Sequence, residues 1–213
     1  MNASATTTVP RLLLLTDRSQ LRLGRGLVRT VAECARAGLT HVLVRELDLS
    51  VPQRAALVGR LDRIDGLVVL SARTLLPGAA GVHLSADQSC NAGLSRLPQP
   101  PDPCTATTTP RYSWFGRSCH DEDEVRRAAA EGAAYVTLSP FAPTESKPGH
   151  GPPVPPGLFA GDHGVPLLAL GGITPRNAGA AREAGAHGVA VMGAVMRAAD
   201  PARVVTALLE AVS

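Results

Sequence analysis

Gly171-Gly172 and Gly193 each follow a short apolar run, residues 166–170 and 188–192, and each precedes a segment of helical character. Glycine at such a turn lets backbone N–H groups approach a bound group with no Cβ in the way. A helix that starts there adds free donors and a partial positive charge, which suits an anion. Two such turns in succession, late in a chain of strand–helix units, match the phosphate site of a (β/α)8 barrel. The pattern therefore predicts an anion cradle at Gly171, Gly172, Met192 and Gly193. Relief of strand–helix packing is the competing account of these glycines.

Other polar residues fall at the ends of apolar runs: Asp17, Arg45, Glu46, Arg73, His83, His120, Ser139, Thr144, Ser146 and Lys147. Arg45 and Arg73 stand just past buried strands, where a charge is costly unless it meets an anion. A structural pair with Glu46 or Asp17 is the alternative. His83, between Val82 and Leu84, reads as a lining histidine rather than a catalyst. His120 follows Gly116-Arg117-Ser118-Cys119 and precedes Asp121, with Glu124 forming a capping box at a helix start. The adjoining helix N-terminus favours a neutral imidazole, able to take a proton and return it. Cys119 has no base beside it in sequence and is a poor candidate nucleophile. Lys147 is the only lysine in a chain otherwise rich in arginine, and its loop is rich in Pro and Gly, which suggests a position where lysine is needed.

Positioning these groups takes a repeating scaffold. Apolar runs at residues 12–16, 41–44, 67–70, 81–84, 113–116, 134–138, 166–170 and 188–192 read as strands. Helical patterns lie between most of them, including residues 26–37, a segment opened by Ser50 and Pro52, one opened by Asp121, one capped by Thr174 with Pro175 at its first position, and residues 202–212. Eight alternating units predict a single-domain α/β (β/α)8 TIM barrel over residues 11–213. Residues 1–10 read as a disordered tail, residues 98–110 as an irregular loop, and residues 139–156 as a lid loop on the catalytic face.

Composition narrows the classes. The 213 residues suffice for one sizeable core, and 3% aromatics means that this core is aliphatic. A formal charge of +3 with scattered arginines gives no stripe for nucleic acid. No apolar run is long enough to span a bilayer, and the start of the chain lacks signal-peptide character. Cys34, Cys90, Cys104 and Cys119 show neither metal-like nor C-x-x-C spacing, which fits free thiols in a reducing cytoplasm.

With these motifs placed, the chain resembles the thiamine phosphate synthase and TenI family over nearly its whole length. The matching segments are Leu13-Leu14-Leu15-Thr16-Asp17, Val44-Arg45-Glu46, Gly81-Val82-His83-Leu84, Gly116-Arg117-Ser118-Cys119-His120, Pro143-Thr144-Glu145-Ser146-Lys147, Gly171-Gly172-Ile173-Thr174 and Gly188-Val189-Ala190-Val191-Met192. The departures bear on the branch. Synthases carry Gln-x-Arg-Glu-Lys after strand 2, where Leu43 and Leu47 replace the Gln and the Lys. They carry Asn-Asp before the strand-3 arginine, where Ser71-Ala72 stand, and a second magnesium Asp where Gln88 stands, with Asp87 one step away. Two carboxylates that the resemblance implies for Mg²⁺ are thus missing, although displacement of pyrophosphate calls for hard oxygen ligands.

The TenI thiazole tautomerases use no metal, and their catalytic histidine falls on His120. Ser139-Pro140 and the Thr144–Lys147 loop are closer to the synthases. The resemblance thus implies a thiazole tautomerase-like isomerase, which aromatises a phosphorylated carboxythiazole in thiamine or related thiazole biosynthesis by metal-free proton transfer. One alternative is a divergent thiamine phosphate synthase (a transferase), which couples a pyrimidine pyrophosphate to a thiazole phosphate; only this reading calls for Mg. The other is a non-catalytic phosphate-ligand-binding relative. On the tautomerase reading His120 is the catalytic residue. Arg45, Arg73, Thr144, Ser146 and Lys147 take the substrate carboxylate or pyrophosphate, and Gly171, Gly172, Met192 and Gly193 take the phosphate. No metal ligand or cofactor is expected. The partner is a small phosphorylated heterocycle, not nucleic acid or membrane, with a homo-oligomer left open.

Overall fold

The computed structural model describes residues 8–22, 24–88, 114–143 and 152–213. Eight parallel strands, β1 (Leu12–Leu15), β2 (His41–Val44), β3 (Val68–Ala72), β4 (Gly81–Leu84), β5 (Phe115–Cys119), β6 (Tyr135–Leu138), β7 (Leu167–Leu170) and β8 (Gly188–Val191), close in sequence order into a barrel. β8 completes the ring by pairing with β1. Strands buried on both faces need no polar alternation, which is why β1 reads Leu-Leu-Leu-Leu. Successive side chains still point to opposite sides. Leu12 and Leu14 join the layer between strands and helices, whereas Leu13 and Leu15 fill the barrel interior with Leu43, Leu70, Tyr135 and Leu168.

The helices are α1 (Leu27–Arg36), α2 (Val51–Leu61), α3 (Glu122–Ala130), α4 (Ala178–Glu183), α5 (Gly193–Met196) and α6 (Pro201–Val212). α1 buries Leu27, Thr30, Val31 and Cys34, the spacing of one helical face. Ser50 and Gln53 form a reciprocal capping box at α2, and Asp200 caps α6 by accepting from the Arg203 N–H. No helix among the described residues is long and apolar enough to cross a membrane.

Three local expectations need correction. β5 is Phe115–Cys119 rather than residues 113–116, so Arg117 and Ser118 belong to the strand. Gly116, Arg117 and Ser118 have little strand character, but register with Tyr135, Val136 and Thr137 of β6 holds them extended. Thr174 does not cap a helix, since residues 174–177 form a turn and α4 starts at Ala178 with Asn177 as its cap. The Asn177 Oδ1 accepts from the Thr174 N–H at 2.7 Å, and its amide donates to the Gly172 carbonyl at 2.9 Å. At α3, Asp121 caps as expected, but the Glu124 carboxylate reaches one residue further back, to the His120 N–H at 2.7 Å.

The tail, residues 1–10, is described only from residue 8, and the 98–110 loop lies wholly outside the described residues. The proposed lid, residues 139–156, is described only at its two ends.

Barrel closure also depends on backbone contact. A Cβ on Gly188 would run into the Arg11 backbone, which no side-chain rotation can relieve. Gly188→Ala is expected to destabilise the protein by about 1–3 kcal/mol. This would be read as a lower urea midpoint with an unchanged m-value. An unaltered midpoint would contradict this account of how β8 meets β1.

Candidate active site

A cavity of about 640 Å³ opens at the C-terminal ends of the strands, where barrel enzymes place their chemistry. Its walls are apolar at Leu15, Leu43, Ala72, Leu170, Ala190 and Ile173. Gly171, Gly172, Met192 and Gly193 line one side, and Arg45, Arg73, His83, Ser118, His120 and Arg197 add polar groups. The described residues predicted to bind or catalyse, Arg45, Arg73, His120, Gly171, Gly172, Met192 and Gly193, thus meet in one place, whereas Asp17 and Glu46 do not join them. Thr144, Ser146 and Lys147 lie outside the described residues.

The glycine side has a clear structural cause. Gly171 and Gly172 have φ of +95° and +65°, which disfavour a side chain. A Cβ on Gly172 would come within 2.6 Å of the Ala142 and Pro143 carbonyl oxygens. The segment after β6 is stitched across this turn by Phe141 N–H to the Leu170 carbonyl at 2.8 Å and Ala142 N–H to the Gly171 carbonyl at 3.0 Å. Because α4 starts at Ala178, its N-terminus does not open at this turn as the sequence pattern suggested. The helix that does start at the cavity is the four-residue α5, with Met192 as its cap.

Charge in the cavity is asymmetric. Arg45 and Arg73 both line it, and neither forms an ion pair with a carboxylate among the described residues. The alternative considered for Arg45, a pair with Glu46, is not formed. Glu46 is buried and accepts from the Arg18 N–H at 3.0 Å and the Arg18 guanidinium at 2.9 Å. Asp17 is not in the cavity lining; it caps the turn that follows β1 and accepts from Gln20 at 2.7 Å. Burial works to raise the Asp17 carboxyl, but hydrogen bonds from Ser19 and Gln20 and the Arg45 charge hold it below its ordinary value.

Sequence reasoning missed Arg197. It follows α5, donates to the Gln20 Oε1 at 2.6 Å, and lays its guanidinium against Gly193, where a Cβ would displace it. One signal was available: Arg197 stands four positions after Gly193, about one helical turn.

His83 is buried. Its Nδ1 lies 3.0 Å from the Tyr135 hydroxyl and its Nε2 lies 3.0 Å from the Ser118 hydroxyl. Burial, assisted by the Arg117 charge, pushes its pKa down to about 3, so it is neutral near neutral pH. His120 is more exposed, with the Glu124 carboxylate 3.1 Å from its Nδ1. That contact favours the tautomer with its proton on Nδ1, which leaves Nε2 as the hydrogen-bond acceptor. Cys119 is fully buried, and burial pushes its thiol up to about 12, which removes it as a nucleophile.

Among the described residues the cavity lacks the pair of carboxylates that the family resemblance implies for magnesium. Asp87 is the only carboxylate among the described residues that line the cavity, and no three His, Cys, Asp or Glu side chains group for a metal among those residues. Gln88, at the place of the second expected ligand, donates its amide to the Arg73 carbonyl at 2.6 Å. A hydrogen bond from Ser85 is the main cause that lowers the Asp87 carboxyl, with a further contribution from the Arg73 charge.

Fold and site together define a (β/α)8 barrel whose mouth gathers arginine side chains, two histidines and an apolar wall. The family profile described as thiamine monophosphate synthase matches residues 12–195, and the chain belongs to that family. A thiamine-phosphate synthase of Salinispora tropica is 33% identical over 214 residues, covering 95% of this chain and 97% of its own. One of Roseiflexus castenholzii is 32% identical over 198 residues, covering 87% and 81%. The solved thiamine phosphate pyrophosphorylase of Pyrococcus furiosus superposes with a TM-score of 0.75 over 95% of each chain, at 20% identity, a likeness of fold. These names are those of the synthase, not of the tautomerase branch that the sequence motifs favoured.

Two outcomes follow from this geometry. Arg197→Met is expected to weaken binding of inorganic pyrophosphate, measured by calorimetry, by about tenfold, because a charged hydrogen bond is lost. Unchanged affinity would remove Arg197 from the site. The second concerns acid stability. The unfolded chain protonates His83 below about 6.5 while the folded chain does not, so this contribution is complete above 6.5 and is lost as pH falls toward 3. His83→Gln should flatten the acid slope of unfolding free energy in that window, and an identical slope would contradict the burial argument.

Proposed function

We propose that this chain is a transferase of the thiamine-phosphate synthase type, which joins a pyrimidine carried on pyrophosphate to a thiazole phosphate. In that reaction the thiazole nitrogen forms a bond to the pyrimidine methylene carbon. The carbon–oxygen bond to pyrophosphate breaks, and its electron pair leaves with the pyrophosphate. The observation that carries this reading is the convergence of Arg45, Arg73 and Arg197 on one cavity beside a glycine-lined wall. That is more cationic capacity than a single phosphate monoester needs, and it suits a phosphate together with a pyrophosphate. The synthase names of the full-length relatives support the same choice.

On this reading the arginines bind the anions and offset the charge that develops on the leaving group, as fixed donors in a partly dehydrated site. The aliphatic wall of Leu15, Leu43, Leu170 and Ala190 packs against the heterocycles and keeps water from the reacting carbon. No step is routed through a metal, since Asp87 is the only carboxylate lining the cavity among the described residues, and the joining reaction is expected to continue in EDTA.

A second reading, the thiazole tautomerase, is favoured by one observation. His120 lines the cavity with its Nδ1 held by Glu124, an arrangement suited to moving a proton on a carboxythiazole phosphate. Two parallel assays separate the readings. The protein is incubated with pyrimidine pyrophosphate and thiazole phosphate, with and without EDTA, and pyrophosphate release is followed. It is also incubated with the non-aromatic carboxythiazole phosphate, and aromatisation is followed by absorbance. The proposal predicts release of pyrophosphate, with a loss of less than about tenfold in His120→Ala, because no proton transfer by a positioned base is required. Aromatisation alone, lost by about 10²-fold or more in His120→Ala, would establish the tautomerase instead. Ligand binding without either turnover would indicate a non-catalytic relative.

A further inference from the structure

Tyr135, His83 and Ser118 form a connected line from the barrel interior to the cavity. Tyr135 and His83 are buried, their rings 5.5 Å apart, and Trp114 packs on Tyr135 with ring centroids 5.1 Å apart. Gly116 makes room for this arrangement, since a Cβ there would collide with the Tyr135 ring. Among the described residues the Tyr135 hydroxyl has one hydrogen-bond partner, His83 Nδ1 at 3.0 Å. His83 Nε2 then meets the Ser118 hydroxyl at 3.0 Å, with the Thr137 hydroxyl further off at 3.5 Å.

Proton counting sets the direction of this line. If His83 carried its proton on Nδ1 and donated it to Tyr135, the phenolic proton would be buried with no acceptor, a costly arrangement. Nδ1 therefore accepts from Tyr135. The neutral imidazole then carries its proton on Nε2 and donates it to Ser118 Oγ. With that oxygen accepting, the Ser118 proton is left to be given to a group in the cavity. The cluster looks like a serine–histidine nucleophile pair but has the opposite polarity, because an Nε2 that bears a proton cannot deprotonate serine.

We propose that Tyr135 and His83 are positioning residues that fix Ser118 as a hydrogen-bond donor into the cavity, where it recognises an acceptor atom of the substrate, an unprotonated ring nitrogen or an anionic oxygen. This inference rests on the reading of the cavity as a substrate site. It also excludes Ser118 as a covalent nucleophile.

The first test needs no substrate. Nitrogen-15 NMR of the histidine rings, with His83 assigned through His83→Gln, should show a protonated Nε2 and an unprotonated Nδ1 at neutral pH. A protonated Nδ1 would overturn the proposal. The second test is a double-mutant cycle between Tyr135→Phe and Ser118→Ala, with thiazole phosphate affinity read by calorimetry and folding checked by thermal melting. Ser118→Ala should weaken binding by about 3- to 10-fold, the value of one neutral hydrogen bond. Tyr135→Phe should weaken it by a smaller factor, and should add nothing once Ser118 is alanine. Fully additive losses in folded variants would overturn the relay. Failure of wild-type protein to bind thiazole phosphate would contradict the functional reading, while the NMR result would still decide the tautomer.

Discussion

Closure of eight parallel strands is the constraint on which the site depends. A parallel ring sends every strand in the same direction, so the residues at the strand C-termini have to meet around one mouth. Arg45 after β2, Arg73 after β3, Ser118 and His120 at the end of β5, Gly171 after β7 and Met192 after β8 are far apart in sequence and line one cavity for that reason. Where β8 pairs with β1 the backbones at Gly188 and Arg11 come into direct contact, with no room for a Cβ. The cradle side then forms because the segment after β6 lies on Gly171 and Gly172 with no side chain between them.

Charge is handled in two ways in the same barrel. Glu46 is buried and satisfied by two groups of Arg18, and Arg117 is held by Glu131 at 2.6 Å and by the Gln88 carbonyl at 2.6 Å. Those groups fasten loops to strands. Arg45 and Arg73 sit nearby with no carboxylate partner of this kind among the described residues. Arg45 is half-buried and Arg73 exposed, so both guanidinium groups stand at the mouth beside the apolar wall.

Much of this was legible in the sequence, for physical reasons that differ by element. β1 is a continuous aliphatic run, and β2 and β8 are aliphatic after His41 and Gly188, as strands buried on both faces allow, and the caps at Ser50 and Asp121 carry their own hydrogen-bond logic. β5 was displaced because its Gly, Arg and Ser are made strand-like by pairing with β6, not by their own preference. The cap expected at Thr174 failed because the Asn177 side chain closes a turn first and bonds back to Gly172. Arg197 was passed over because a helix of four residues has no amphipathic pattern to mark its faces. The polarity of Ser118 was out of reach, since it depends on a tyrosine 17 positions away meeting a histidine from another strand.

The central claim is that this mouth binds its anions with arginine side chains rather than with a metal held on carboxylates. Its most direct test is a crystal structure grown with pyrophosphate and thiazole phosphate in excess Mn²⁺, with the metal located by anomalous scattering. The account predicts phosphate oxygens within hydrogen-bond distance of the Arg45, Arg73 and Arg197 guanidinium groups and no manganese at Asp87. Manganese bridging Asp87 and the pyrophosphate, with the three arginines turned away from it, would contradict the account.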